Sequence, residues 1–481
     1  MSKVLFSHSY YYRLDPKQWK MGTPYPPLGT IYAASWLREN GYEVDLFDVC
    51  LKDGPEEIVQ IIDVQNPEYL VLYDDGFNYL TKMCLTNMRE AAFKMIRFAR
   101  DRGCKVIVSS SDSTDHFQKY LDQGADVVLL GEGELSLKET IDAFENKTSL
   151  DEIQGICFYR SGELIQTGKR PVLKDLDILP QPAWDLVDVN AYKQIWKSNG
   201  HDFALNIATT RGCPYKCNWC AKPIYGQRYN VRSPQRVVEE VQYLKAQFGV
   251  RKFWMCDDIF GLKPGWVQRF RDELQKAKIA IKYKIQSRAD LLLKEDNIDA
   301  LVESGLYEVW IGAESGSQEI LDAMDKGTSI EQIKQSTQLL QSKGVRVAYF
   351  LQFGYLGETK KDIESTIDML LDFMPDDIGV SVSYPLPGTK FYDKVKSQLS
   401  QKANWEDSDD LALMFQNTFN QDYYKVLHRY VHKVFRSAQA DENMRKHGIS
   451  ISGAKAWMKK MYYQPIIAKY KQELQKSSNK A

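Results

Sequence analysis

Residues Arg211–Cys220 read RGCPYKCNWC and place three thiols, Cys213, Cys217 and Cys220, within eight residues. Three thiolates at this spacing can wrap one face of an iron–sulfur cube and leave its fourth iron without a protein ligand. Iron–sulfur clusters ordinarily take four cysteine thiolates, and an open coordination position is what separates reactive metal sites from structural ones. The competing reading is a zinc ribbon or knuckle, because Cys217-x-x-Cys220 alone is a zinc half-site. Zinc needs a fourth ligand, and the 35 residues after Cys220 contain neither Cys nor His. Outside that window the candidates are Cys256 and His201.

The surroundings of this segment bear on the choice. From residue 201 six strand candidates follow one another: FALNIATTRGC (203–213), RKFWMCDDIF (251–260), IKYKIQSRAD (281–290), LYEVWIGAES (306–315), VRVAYFLQFGYLGE (345–358) and DIGVSVSYPLPGT (377–389). Helical stretches start near Pro234, Gly265, Lys294, Ser317 and Thr359. Alternation of this kind predicts a partial (β/α)6 TIM-like barrel over 201–395, with its chemistry at the carboxyl ends of the strands. The cysteine loop follows the first strand, Asp257-Asp258 the second, Arg288 the third, Glu314 the fourth, GYLGET the fifth and PLPGT the sixth. That shared position favours the open cluster over zinc.

Residues 1–150 alternate on a smaller scale. The strand candidates KVLFSHS, YEVDLFDV, YLVLYDD, KVIVSSS and ADVVLLGEGE are separated by helices, the most amphipathic being MREAAFKMIRFARDRG. Five such strands predict a doubly wound, Rossmann-like parallel sheet, with ligands outside the strands' carboxyl ends. Residues 151–200 read as a connector that opens with a hairpin turning at Ser161-Gly162. Residues 396–481 read as a helical region rich in aromatic residues. Trp405, Tyr423, Tyr424 and Trp457 suit either a core or a partly apolar small-molecule substrate.

The 481 residues are 43% hydrophobic and 26% charged, with a net charge of −1, so nothing in the overall charge argues for a nucleic-acid binder. The start carries too short an apolar run for a signal peptide, and no stretch approaches the ~18 apolar residues that span a bilayer. Five cysteines outside the cluster are scattered, unlike a disulfide framework. A reducing, cytoplasmic protein is expected. From Gln421 to Ala481 there are 13 Lys+Arg against 4 Asp+Glu. This basic tail is either a solvated helical face or a weak contact with an anionic surface.

The chain resembles the radical S-adenosylmethionine enzymes, in particular the class with an N-terminal cobalamin-binding domain. The likeness rests on Cys213-x-x-x-Cys217-x-x-Cys220 with Trp219 before the last cysteine, and on CDDIF (256–260), IGAESGS (311–317), GYLGET (354–359) and YPLPGT (384–389). It implies a [4Fe–4S] cluster on the three cysteines and S-adenosylmethionine chelated to the open iron. Reductive cleavage then gives a 5′-deoxyadenosyl radical, with electrons from a flavodoxin- or ferredoxin-like donor. By position, Glu314 resembles the acid that meets the ribose or methionine moiety, and Asp257 or Asp258 the contact to the amine. Arg288 resembles a partner for the methionine carboxylate, and Gly354 and Gly388 would let backbone approach the nucleoside. At the N-terminus, Ser109–Ser110–Ser111 and Gly131–Glu132–Gly133–Glu134 stand where the family cradles the cobalamin nucleotide tail. Two departures are plain: no Asp-x-His-x-x-Gly supplies a histidine for cobalt, and serines replace the usual Gly-Gly turn. The implied activity is methylation of an unactivated carbon or phosphorus centre. Radical cyclisation, rearrangement or oxidation without methyl transfer is the alternative, and a zinc-containing binding module is a third.

Overall fold

The computed structural model describes residues 3–294, 296–399 and 402–478. The chain divides into two compact units: 1–215 with 221–285 and 404–410, and 216–220 with 286–403 and 411–481.

The first unit holds the N-terminal sheet. Its strands are β1 (Lys3–Ser7), β2 (Glu43–Phe47), β3 (Tyr69–Tyr73), β4 (Lys105–Ser109), β5 (Val127–Leu129), β6 (Ile156–Arg160) and β7 (Glu163–Gln166), in the order β2-β1-β3-β4-β5-β6-β7. The first five are parallel, as the sequence predicts. Every residue of β3, YLVLY, is buried, the pattern of a strand covered on both faces. One cover is the helix Thr86–Arg100, whose Met88, Ala91, Ala92, Met95, Ile96 and Ala99 recur at helical spacing and lie inside. The hairpin read in the connector turns at Ser161-Gly162, both at positive φ, as two-residue hairpin turns require. It does more than connect: β6 pairs antiparallel with β5 and extends the sheet to seven strands.

All six barrel strands form where the sequence places them: β8 (Leu205–Ile207), β11 (Lys252–Met255), β12 (Lys282–Ser287), β13 (Leu306–Glu314), β14 (Arg346–Phe353) and β15 (Asp377–Val382). They follow chain order in the sheet, and the pairings β8–β11, β11–β12, β13–β14 and β14–β15 are parallel. The helix Pro234–Phe248 shows why the boundaries are legible. Ser233 caps its N-terminus by accepting from Arg236 N, Pro234 opens it, and Gly249 closes it at φ +64°.

A short antiparallel ribbon, β9 (Thr210–Arg211) with β10 (Asn230–Val231), closes the base of the loop that carries the cysteines. Gly212, at φ +80°, makes the closure possible, because a Cβ there would lie 2.5 Å from the Arg228 carbonyl oxygen.

In the second unit, helices Gln421–His447 and Ile451–Ser478 pack against each other, with Gln464 donating to Ser437 at 3.3 Å and Lys460 paired with Asp441 at 2.5 Å. Tyr423 and Tyr424 are buried in this unit, whereas Trp457 is exposed, so the expectation that Trp457 lines a core or substrate pocket does not hold. Among the described residues, no helix is long and apolar enough to cross a membrane.

Gly212→Ala forces a Cβ into backbone and leaves the left-handed region to an L side chain. It is expected to lower stability by roughly 1–3 kcal/mol, measured by urea unfolding of the metal-free protein.

Candidate active site

In the first unit the polar residues at the strand ends are largely engaged with one another. Asp257, just past β11, is buried and accepts from Thr209 N at 2.7 Å, Thr209 Oγ1 at 2.7 Å and Thr210 N at 2.6 Å. It pins the end of β8, and burial raises its pKa to about 6 against the three hydrogen bonds that lower it. Asp258 is half-exposed and paired with Lys82. Cys213 is also half-buried, directly after Gly212.

The loop after β5 is built around an arginine that the sequence reading left without a role. Arg211 donates to Glu132 Oε1 and to Glu134 Oε1, both at 2.6 Å, and all three side chains are buried. Its guanidinium also lies within 6 Å of the rings of Tyr32, Phe77 and Tyr225. Glu132 additionally accepts from Leu173 N at 2.5 Å, and burial pushes its carboxyl above the usual range, opposed by Arg211. The loop after β4 is likewise held by hydrogen bonds within it. Ser110 and Ser113 exchange side-chain-to-backbone hydrogen bonds at 2.8 Å, opening the short helix Ser111–Asp115. Asp112 of that helix is held by Arg89 at 2.5 and 2.6 Å and by the Tyr120 hydroxyl at 2.6 Å. Two buried atoms on these loops have no partner: Ser111 Oγ and Glu134 Oε2. A small cleft lined by Ser9, Asp74, Arg89, Asp112 and Tyr120 opens beyond β1 and β3. That is where the strand order reverses, the usual ligand position of such sheets. His8 is tied to Asp48 at 3.0 Å, in keeping with a structural role.

In the second unit the predicted residues gather around one turn, Ala323–Gly327. Asn218, between Cys217 and Trp219, donates from Nδ2 to Ala323 O at 2.7 Å and to Asp325 Oδ2 at 3.2 Å. Its backbone N–H donates to Met324 O at 3.0 Å, its Oδ1 accepts from Tyr355 Oη at 2.8 Å, and its carbonyl accepts from Phe391 N at 2.9 Å. Trp219 packs on the apolar cluster of Ile320, Met324, Tyr355, Phe391, Val395 and Phe415. Arg288 donates to Gly327 O at 3.2 Å and to Asp290 at 2.9 Å, and its Nη1 lies 3.9 Å from Cys217 Sγ. Lys326 in turn donates to Glu314 Oε1 at 2.7 Å, with both side chains buried. Glu314 sits at φ +60° where the β13–β14 register shifts. Such a bulge re-aims a side chain at a strand end, and a non-glycine residue there is a marker of functional constraint. Cys217 and Cys220 are half-buried, with Cys220 N donating to Cys217 O at 3.3 Å.

After β14, Gly354 N donates to Glu358 Oε2 at 2.7 Å, and Glu358 Oε1 is buried without a partner. Burial, with Asp362 nearby, raises the Glu358 pKa from 4.5 to about 8. Gly388, at φ +74°, faces open space. Among the described residues, no three His, Cys, Asp or Glu side chains are grouped so as to hold a single metal ion.

Comparison with known proteins accords with this layout. Residues 207–370 match the model of the radical SAM superfamily. The matched residues run from the end of β8 into the helix that follows β14. An uncharacterized methyltransferase of Pyrococcus horikoshii is 26% identical over 454 residues, covering 92% of this chain and 95% of the relative. An anaerobic magnesium-protoporphyrin IX monomethyl ester cyclase of Synechocystis is 26% identical over 375 residues, 76% of this chain and 72% of the relative. Among solved structures, the cobalamin-dependent S-adenosylmethionine radical enzyme OxsB with aqua-cobalamin bound superposes with a TM-score of 0.75 at 18% identity, covering 95% of this chain and 70% of that one. The radical S-adenosylmethionine methyltransferase TsrM of Kitasatospora setae, with cobalamin and a [4Fe–4S] cluster bound, gives 0.69 at 18% identity, over 83% and 75%. These likenesses establish the fold: a Rossmann-like N-terminal sheet, a radical SAM partial barrel and a helical C-terminal region.

For a radical SAM enzyme the residues missed by sequence are Asn218, Lys326, Arg211 and Glu358. Arg211 and Asn218 lie in RGCPYKCNWC and Glu358 in GYLGET; Arg211, Asn218 and Lys326 act through contacts outside those motifs, which local patterns do not announce.

The pH dependence of Glu358 is testable. The fold prefers its neutral carboxyl, so the associated stabilisation is full below about pH 4.5 and is lost as pH rises towards about 8. Glu358→Gln keeps the acceptor for Gly354 N and removes the titration. Urea unfolding at several pH values should show the variant gaining on the wild type between those limits and no further above them.

Proposed function

We propose that Cys213, Cys217 and Cys220 hold a [4Fe–4S] cluster open to S-adenosylmethionine, and that the enzyme methylates an unactivated carbon or phosphorus centre of a partly apolar small molecule with the help of cobalamin. The observation that carries the reading is the turn Ala323–Gly327, which ties the cysteine loop, Arg288 and Glu314 to one piece of backbone. When bound, these groups supply one-electron cleavage of the sulfonium and a transferable methyl group.

The chain's own part is to bind and orient. Three half-buried thiols on a loop with a fixed base suit a cluster. Arg288 already lies beside Cys217, and its fork suits a carboxylate next to the cluster. Glu314, oriented by Lys326, offers acceptors to an ammonium or to ribose hydroxyls. Trp219 braces the loop and Gly388 leaves room for a nucleoside, whereas Gly354 is packed against Val382 and Tyr424. Asp257 keeps the β8 end in place, and Asp258 remains accessible to a ligand. In the N-terminal sheet, Ser109–Ser111 and Gly131–Glu134 would hold the cobalamin tail. Their fit rests on the unsatisfied Ser111 Oγ and Glu134 Oε2, atoms that a polar ligand would pair. A flavodoxin- or ferredoxin-like protein in a reducing cytoplasm would supply electrons.

Methyl transfer is favoured by relatives named for it, including a hopanoid C-3 methylase of Methylococcus capsulatus that is 24% identical over 387 residues. The cyclase relative supports a second reading, radical cyclisation or oxidation without methylation.

Anaerobic reconstitution should give about four irons per chain. With methyl-labelled S-adenosylmethionine, dithionite, cobalamin and candidate substrates, label should enter the product. Deoxyadenosine without incorporated label selects the second reading. One zinc and no iron rejects both. Cys217→Ala should abolish deoxyadenosine formation. Arg288→Lys loses the bidentate fork and should weaken S-adenosylmethionine binding by about tenfold or more, read by equilibrium binding with iron content unchanged.

A further inference from the structure

Helix Ile451–Ser478 is apolar on two sides. One side packs on Gln421–His447, burying Ala456 and placing Tyr463 beneath Lys433 Nζ at 5.2 Å. The other faces outward and presents Trp457, Met458, Met461 and Tyr462, which are 52%, 56%, 51% and 63% exposed. Their spacing of three and four residues puts them on one stripe. The turn that opens the helix adds Ile449 and Ile451, also exposed. Single exposed apolar residues are ordinary, but a contiguous set marks an interaction surface.

The charge around the stripe is one-sided. From Ile449 to Tyr470 there are four lysines, Lys455, Lys459, Lys460 and Lys469, and no Asp or Glu. Lys460 is paired with Asp441 of the neighbouring helix, while Lys455 and Lys459 are exposed at the edge of the stripe.

We propose that this outer face docks the protein on an anionic lipid bilayer, with the helix lying in the plane of the interface. Helices that lie on membranes carry Trp and aliphatic residues on one face with lysines beside them. Trp and Tyr rings settle at headgroup depth, and lysines add attraction to anionic lipid. A second copy of the chain fits poorly, since a two-fold contact would bring the same acid-free, lysine-bearing face against itself. The proposal is independent of the cofactor reading, because none of these residues belongs to the candidate active site.

The test is co-sedimentation of the full chain with vesicles. Binding is expected to phosphatidylcholine vesicles containing phosphatidylglycerol, to weaken at high salt, and to be lost on pure phosphatidylcholine. The double variants Trp457→Ser/Met461→Ser and Lys455→Glu/Lys459→Glu should each bind at least about tenfold more weakly, with unchanged melting temperature and iron content. Absence of binding to the anionic vesicles, or double variants that sediment like the wild type, would overturn it. So would a dimer in solution that Trp457→Ser/Met461→Ser dissolves, since a second copy would then be the occupant.

Discussion

Five hydrogen bonds from one asparagine fix the cysteine loop within the second unit. Asn218 uses its side-chain amide, its side-chain carbonyl and both backbone groups, and four of the five bonds go to the Ala323–Met324–Asp325 backbone turn or to the tyrosine that also donates to it. A buried amide with every group satisfied has one geometry, whereas a partly satisfied one has several. Arg288 and Glu314 are then set by the same short turn, through Gly327 O and Lys326 Nζ. A common anchor places these groups relative to one another without a long chain of intermediates.

The first unit solves a related problem with charge. Arg211, two residues before Cys213, is buried between Glu132 and Glu134 and walled by aromatic rings. A charge in such a place is costly unless paired and hydrogen-bonded, and removing one partner leaves the other stranded. Burial, with the neighbouring Glu134 carboxylate adding to it, raises the pKa of Glu132 against the pull of Arg211.

The barrel strands and their helices were legible because apolar runs, caps and glycine stops act locally. Ser233-Pro234 and Gly249 mark one helix almost to the residue. The positions of Glu314, Arg288 and the Asp pair at strand ends could be read for the same reason. Their partners could not. Lys326 reaches Glu314 across 12 residues and Asn218 reaches Ala323 across 105, separations that strand and helix periodicity does not link. The hairpin at Ser161-Gly162 was equally visible as a turn, yet its attachment to β5 depended on an edge strand with unpaired backbone groups. Asp257 shows the limit in another way: it stands at the strand end where the sequence put it, and its hydrogen bonds go to Thr209 and Thr210.

The β9–β10 ribbon has a bearing on how the loop is loaded. Joining the ends of a floppy segment costs configurational freedom, and metal sites in unstructured chain must meet that cost when the metal arrives. Here the polypeptide meets it in advance, with Gly212 allowing the two ends to touch. A cluster taken up by the three cysteines would therefore meet a loop whose ends are already joined, and its loss would leave the ribbon in place.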